Sequence, residues 1–223
     1  MMREFFNVSD NSFEQRNSPW ISRISSGLEC GSPCPECGGT SCSPAGELRA
    51  TVDIKRAVTW PDVLGCGSYP LLVVSSRVID DWTRARIECG SPAKVLLETP
   101  GSRDRRCGSL PDYFWIDGAR LIGAQLDFEA SGFVDVRFCS TCGRRMDDVS
   151  ATYERQHSSV WPYQFVPGTW NGLDLFTTDL APTAFFCTAR VVDCARISRH
   201  TNFRFVPVEL GADTGHKGLK YLK

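Results

Sequence analysis

The sequence predicts an α+β protein, with mixed or antiparallel sheets and few helices, arranged as two related halves joined by a split, zinc-ribbon-like four-cysteine site. Three observations predict it. Short apolar or alternating runs, punctuated by Gly, Pro and Asp, occupy most of the chain and read as strands and turns. Two segments only carry apolar residues at helical spacing. One short motif, Cys-x-x-Cys-Gly, occurs twice, as Cys34-Pro35-Glu36-Cys37-Gly38 and Cys139-Ser140-Thr141-Cys142-Gly143.

Taken in order, residues 3–8 read as a strand and 10–19 as a polar loop. Residues 27–46 are rich in Gly, Pro, Ser and Cys and hold the first cysteine motif, and 48–54 alternate apolar and polar residues as a half-buried strand does. An apolar run at 69–74 feeds a helix in which Val78, Trp82 and Ala85 share a face. Ser75 or Ser76 is placed to cap that helix, with Asp80 and Asp81 at the positive end of its dipole. Strands follow at 94–98, 113–116, 120–128 and 133–138, the last delivering the second motif. Residues 144–169 read as irregular and aromatic-rich. Strands at 173–177 and 184–187 lead into a capped helix over 188–199, and 203–209 reads as a closing strand.

A weak internal repeat runs through this order. Val74-Ser75-Ser76-Arg77-Val78-Ile79-Asp80 aligns with Cys187-Thr188-Ala189-Arg190-Val191-Val192-Asp193, and each copy lies downstream of one cysteine motif. The expectation is a single compact unit over 1–223, containing pseudo-repeats 28–128 and 129–210.

With 223 residues, 42% of them hydrophobic and 23% charged, the chain can bury an ordinary core. Its formal net charge of -1 lacks the basic excess of a dedicated nucleic-acid binder. No run approaches the roughly 20 apolar residues of a membrane helix, and the N-terminus has no apolar run suited to a signal peptide. The 11 cysteines are then expected in a reducing cytoplasm, as metal ligands and buried free thiols.

Two thiols separated by two residues can reach one ion, and the following glycine lets the backbone turn with its amides directed at sulfur. Two such turns supply the four thiolates of a tetrahedral site, so Cys34, Cys37, Cys139 and Cys142 are the candidate ligands of one structural Zn2+. Rubredoxin-like iron is the alternative metal. The long separation of the motifs is tolerable because loop-closure cost rises slowly with length. Cys30 and Cys42 flank the first motif and could substitute for a ligand, though such neighbours are more often bystanders. Cys66, Cys89, Cys107, Cys187 and Cys194 read as packing residues. His157, His200 and His216 show no ligand spacing to each other or to cysteine, and no phosphate-binding loop, nucleophile elbow or His-Glu-x-x-His helix is present, so no catalytic residue and no enzyme activity is expected. The spacing and composition reach a metal-clamped binding protein. A zinc-ribbon nucleic-acid-binding or transcription accessory protein is the alternative, and the neutral charge disfavours it.

These residues resemble a family. The pair of Cys-x-x-Cys-Gly motifs, one early and one past mid-chain, is similar to that of the double-CXXCG motif proteins, a paralogous group best known from myxobacteria. Trp170-Asn171-Gly172-Leu173-Asp174-Leu175-Phe176, the helix start at Thr188 and the closing Phe203-Arg204-Phe205-Val206-Pro207-Val208 are similar too. The resemblance implies a cytoplasmic immunity protein whose partner is a cognate protein toxin, with no nucleic acid, membrane or small-molecule substrate. It carries the metal-ligand role onto Cys34, Cys37, Cys139 and Cys142, and carries over no toxin-contacting residue.

Overall fold

A computed structural model of the protein describes residues 4–10, 19–40, 42–54, 59–66, 71–99, 109–157, 163–178 and 181–208. Strand β1 (Phe5–Asp10) opens the chain. A long hairpin of β2 (Trp20–Cys30) and β3 (Cys42–Asp53) follows, then β4 (Val63–Leu64), β5 (Leu72–Ser75), helix α1 (Ser76–Arg84) and β6 (Ala93–Glu98). Strand β7 (Tyr113–Ile116), a 3-10 turn at Gly118–Arg120, β8 (Ile122–Ala124) and β9 (Leu126–Asp127) make the middle. A short hairpin of β10 (Arg137–Phe138) and β11 (Arg145–Met146), helix α2 (Val149–His157), β12 (Gln164–Phe165), β13 (Leu175–Thr178), β14 (Ala181–Thr188), helix α3 (Ala189–Ile197) and β15 (Phe203–Val208) complete it.

The protein is α+β. A six-stranded sheet has the order β2-β3-β6-β7-β5-β4, and a five-stranded sheet the order β15-β1-β14-β13-β8; two-stranded ladders join β10 to β11 and β9 to β12. The pairings are antiparallel except β3 with β6 and β8 with β13.

The two large sheets share one design. In the first, Val63 pairs with Val74 and the strand runs into α1; in the second, Leu175 pairs with Cys187 and the strand runs into α3. The next strands also match: Val95 opposes Tyr113 and Ala93 opposes Trp115, as Val208 opposes Phe5 and Val206 opposes Asn7. So β7 completes the sheet of β4, β5 and β6, while β1, from the far end of the chain, completes that of β13, β14 and β15. Strand β7 thus holds in the first sheet, between β6 and β5, the place that β1 holds in the second, between β15 and β14.

Both strand-to-helix junctions are built on one aspartate. Ser75 and Thr188 stand at the N-cap positions of α1 and α3 with extended backbones, but neither side chain caps its helix. Ser75 Oγ instead donates to Asp62 Oδ1 at 2.9 Å, and Thr188 Oγ1 to Asp174 Oδ1 at 2.7 Å. Two residues on, Arg77 Nη2 reaches Asp62 Oδ2 at 2.6 Å and Arg190 Nη1 reaches Asp174 Oδ2 at 2.7 Å. These arginines also cross between the helices. Arg77 donates to the Ser198 and Arg199 carbonyls beyond α3, each at 3.1 Å, and Arg190 donates to the Ala85 carbonyl beyond α1. The first turn of each helix thus places a cation against carbonyls at the C-terminal end of the other, where the helix dipole favours it. Asp81 does not sit at the helix start as the sequence suggested. It is buried, pairs with Arg84, and lies 2.7 Å from Nε2 of His200, whose side chain is fully buried.

Strand alternation divides the interior into three clusters. The central one takes Phe6 and Val8, Leu72 and Val74, Leu175, Phe185 and Cys187, and covers Val78, Trp82 and Val191 of the two helices. A second lies on the other face of the six-stranded sheet around Leu48, Val73, Tyr113 and Trp115. A third, aromatic cluster backs the five-stranded sheet, where Phe5, Phe165, Phe176 and Phe186 meet largely edge-on. Cys66, Cys89 and Cys187 are buried among apolar residues, and burial raises all three thiols above the ordinary range.

Several elements differ from their expected form. The sequence gives no signal for most of β2, whose polar, largely exposed residues alternate weakly. Helix α2 occupies part of the stretch expected to be irregular, with a weakly amphipathic sequence. The strand expected over 133–138 shrinks to β10, and that over 120–128 breaks into the 3-10 turn, β8 and β9. Cys107, His216 and the arginines at 103–106 lie outside the described residues.

Candidate metal centre

Each cysteine motif is the turn of an antiparallel hairpin. The first joins β2 to β3, the second β10 to β11. Their backbones fold alike. Cys34 N–H donates to Gly39 O at 2.9 Å and Gly38 N–H to Cys34 O at 2.8 Å; in the second, Cys139 N–H donates to Arg144 O and Gly143 N–H to Cys139 O, both at 2.9 Å. Gly38 and Gly143 take φ of 66° and 69°, the left-handed region that a side chain resists. That turn points the amides inside each motif at the first sulfur, a knuckle suited to holding a metal thiolate.

The two knuckles meet. Cys34 Sγ lies 3.7 Å from Cys139 Sγ and Cys37 Sγ 3.6 Å from Cys142 Sγ, across 105 residues of chain in each case. All four sulfurs fall within 4.8 Å of one another. A tetrahedral ion with sulfur at about 2.3 Å sets sulfurs about 3.8 Å apart. Both cross-knuckle distances match that edge, so the four thiols lie close enough to bind one metal ion. Cys34 and Cys139 are buried, Cys37 is half-buried and Cys142 faces solvent.

The electrostatics favour a cation. Cys34 is lowered to about 7, chiefly by the Cys37 amide and then the Glu36 amide, which stabilise its thiolate. The Cys142 amide favours a thiolate at Cys139 as well, yet that group is pushed up to about 12 by burial and by the Cys142 and Cys34 sulfurs beside it. Cys142 is raised too, against the pull of the Arg144 amide, by burial and the neighbouring Cys37 and Cys34. A thiolate is favoured at Cys34 and opposed at Cys139 and Cys142. A positive ion among them removes the opposition.

Glu36 and the second knuckle's hydroxyls carry no motif signature and were not singled out by the sequence. The structure puts Glu36 Oε2 2.7 Å from Thr141 Oγ1, 2.8 Å from Ser140 Oγ and 3.2 Å from Thr141 N, all donating to it. The carboxyl is held down at about 2, first by the Thr141 hydroxyl and then by that of Ser140. In the other direction Arg144 lies over Gly39, where a methyl group would sit 2.3 Å from Nη1.

Eight described cysteines are free thiols. Cys30 is not one of them: it ends β2 opposite Cys42 in register and is disulfide-bonded. The expectation that cysteines outside the centre are all free thiols is corrected at this position. The side chains of His157 and Cys42 lie outside the described residues. No helix among the described residues is long and apolar enough to cross a membrane. No protein-family model matches the chain, and no curated protein matches it.

Proposed function

We propose that the protein is an immunity protein: it binds a cognate bacterial toxin and blocks it by occupying its surface, with a structural zinc ion in the four-cysteine centre. The observation that carries the structural part is the convergence of Cys34, Cys37, Cys139 and Cys142 within 4.8 Å. An all-thiolate tetrahedral set selects zinc over harder ions, and such a site contributes folding free energy and no open coordination position for chemistry. The toxin partner is supported by the resemblance of the double knuckle and the Trp170–Phe176 stretch to the double-CXXCG proteins. The eight free thiols favour a reducing cytoplasm, with Cys30 the exception among the described cysteines.

Two measurements test this reading. Metal analysis of protein made with adequate zinc should find about one zinc per chain. Metal-free preparations that are equally stable would count against the zinc. Co-expression with the toxin encoded beside the gene should protect the cell and yield a complex on copurification. Lethality unrelieved, with no complex formed, would remove the immunity role.

A further inference from the structure

Around the metal centre, one atom that is not a ligand collects more polar contacts than any other. Glu36 Oε2 accepts from Ser140 Oγ at 2.8 Å, Thr141 Oγ1 at 2.7 Å and Thr141 N at 3.2 Å, and lies 3.4 Å from Cys139 Sγ. Every contact crosses from the first knuckle to the second. Glu36 and Thr141 occupy the same place in their motifs, each immediately before the second cysteine. The two knuckles therefore face each other through unlike residues, an anion on one side and hydroxyl and amide donors on the other.

That asymmetry has a physical consequence. Four thiols brought together without a metal gain little from one another, and each new thiolate repels the last. The chain between the knuckles is long, so its entropy also works against their meeting. Charge-assisted hydrogen bonds from a carboxylate to neutral donors need no cation, and are about twice as strong as neutral ones. Their geometry fixes both the distance and the facing of the knuckles. Gly39 adds to the fit by leaving room for the Arg144 side chain of the opposite knuckle.

We propose that Glu36 is a positioning residue for the metal centre: its carboxylate latches the second knuckle onto the first and holds the four thiols at ligand separation before the metal enters. This rests on metal binding by the four cysteines and is independent of any toxin.

The test uses full-length, metal-free protein kept reduced and titrated with Co2+, whose visible and near-ultraviolet absorption reports a four-thiolate tetrahedral site. Wild-type, E36A and E36Q proteins should give the same spectrum, because the ligands are unchanged. Affinity should fall about 10–100-fold in E36A, the usual loss for a partner that orients metal ligands. E36Q keeps an acceptor oxygen and should lose less. Hydrogen exchange at the Thr141 amide of metal-free protein should quicken in E36A. Wild-type affinity and unchanged exchange in E36A would overturn the latch. If E36A does not fold, the S140A/T141V double variant decides, since it removes the hydroxyl donors and leaves the carboxylate: a matching loss of affinity supports the latch, and wild-type affinity refutes it. A wild-type protein that never develops the four-thiolate spectrum would instead overturn the metal centre itself.

Discussion

Cysteines of one type do unlike work in this molecule, and their surroundings separate them. Cys139 is buried 3.7 Å from Cys34 in the thiol cluster, whereas Cys89 is buried in the central apolar cluster. On the proposed zinc centre, Cys139→Ser would remove a ligand, and structural zinc is worth of order 10–16 kcal/mol, comparable to a whole domain's stability. The expected outcome is a much less stable protein with the metal lost. Cys89→Ser places a hydroxyl among apolar side chains at about 1–2 kcal/mol and should keep the metal. Equal thermal stability and metal content in the two variants would contradict the assignment. Asp62 gives a second residue-scale prediction. Burial opposes its charge, but Arg77, the Thr201 amide and the Ser75 hydroxyl outweigh that and lower its carboxyl below the ordinary aspartate value. A lowered folded value means the contribution is present above the unfolded value, about pH 4, and is lost as pH falls through the folded one. Asp62→Asn should cost about 2–3 kcal/mol at pH 7. Its stability should also decline less steeply than wild type below about pH 4, as urea melts at pH 7 and pH 3 would measure.

Hairpins and their glycines set the geometry at the scale of elements. Gly143 takes φ of 69° with nothing within 4 Å of where a Cβ would sit, so Gly143→Ala meets backbone strain alone, about 1–2 kcal/mol. Gly27 takes φ of 88°, and a Cβ there would lie 2.4 Å from Glu47 O and 2.7 Å from Leu48 Cα. Backbone of the paired strand cannot step aside as a flexible side chain does, so Gly27→Ala should cost more, about 2–4 kcal/mol in all. Denaturant melts of both variants check the order; a milder effect at Gly27 would show that the β2–β3 hairpin can shift. The helices were legible because Val78 with Trp82 and Val191 with Ala195 recur on one buried face. Strand β2 was not, because residues that face solvent carry no periodic apolar signal, and helix α2 was not, because its sequence is only weakly amphipathic. Of the two serines expected to cap α1, Ser75 stands at the N-cap position but does not cap: its hydroxyl goes to Asp62, a partner 13 residues away that local patterning does not reveal.

Across the whole molecule, strand β1, the thiol cluster and the contacts of Arg77, Arg190 and His200 between the helices tie early chain to late chain. Strand β1 lies between β15 and β14, in the interior of the five-stranded sheet. Residues 1–104 expressed alone would carry β1 without its partners and lack β7, and residues 105–223 would lack β1. Neither fragment should be soluble by itself, and co-expressed fragments should copurify as a complex. A fragment that folds alone, by size-exclusion and circular dichroism, would show that its sheet forms without the borrowed strand. The four candidate ligands were readable from sequence because their spacing and trailing glycines impose a local turn wherever they occur. So was the α+β class, which follows from the lengths and periods of local runs. Which sulfur of one knuckle faces which of the other, the Glu36 contacts, the aspartate beneath each helix start and the place of β1 between β15 and β14 were decided only by tertiary structure. Turns and amphipathic faces depend on neighbours a few residues apart, whereas these pairings join groups from 13 residues apart, Asp62 with Ser75, to opposite ends of the described chain, Phe5 with Val208, where only the packed chain brings donor to acceptor.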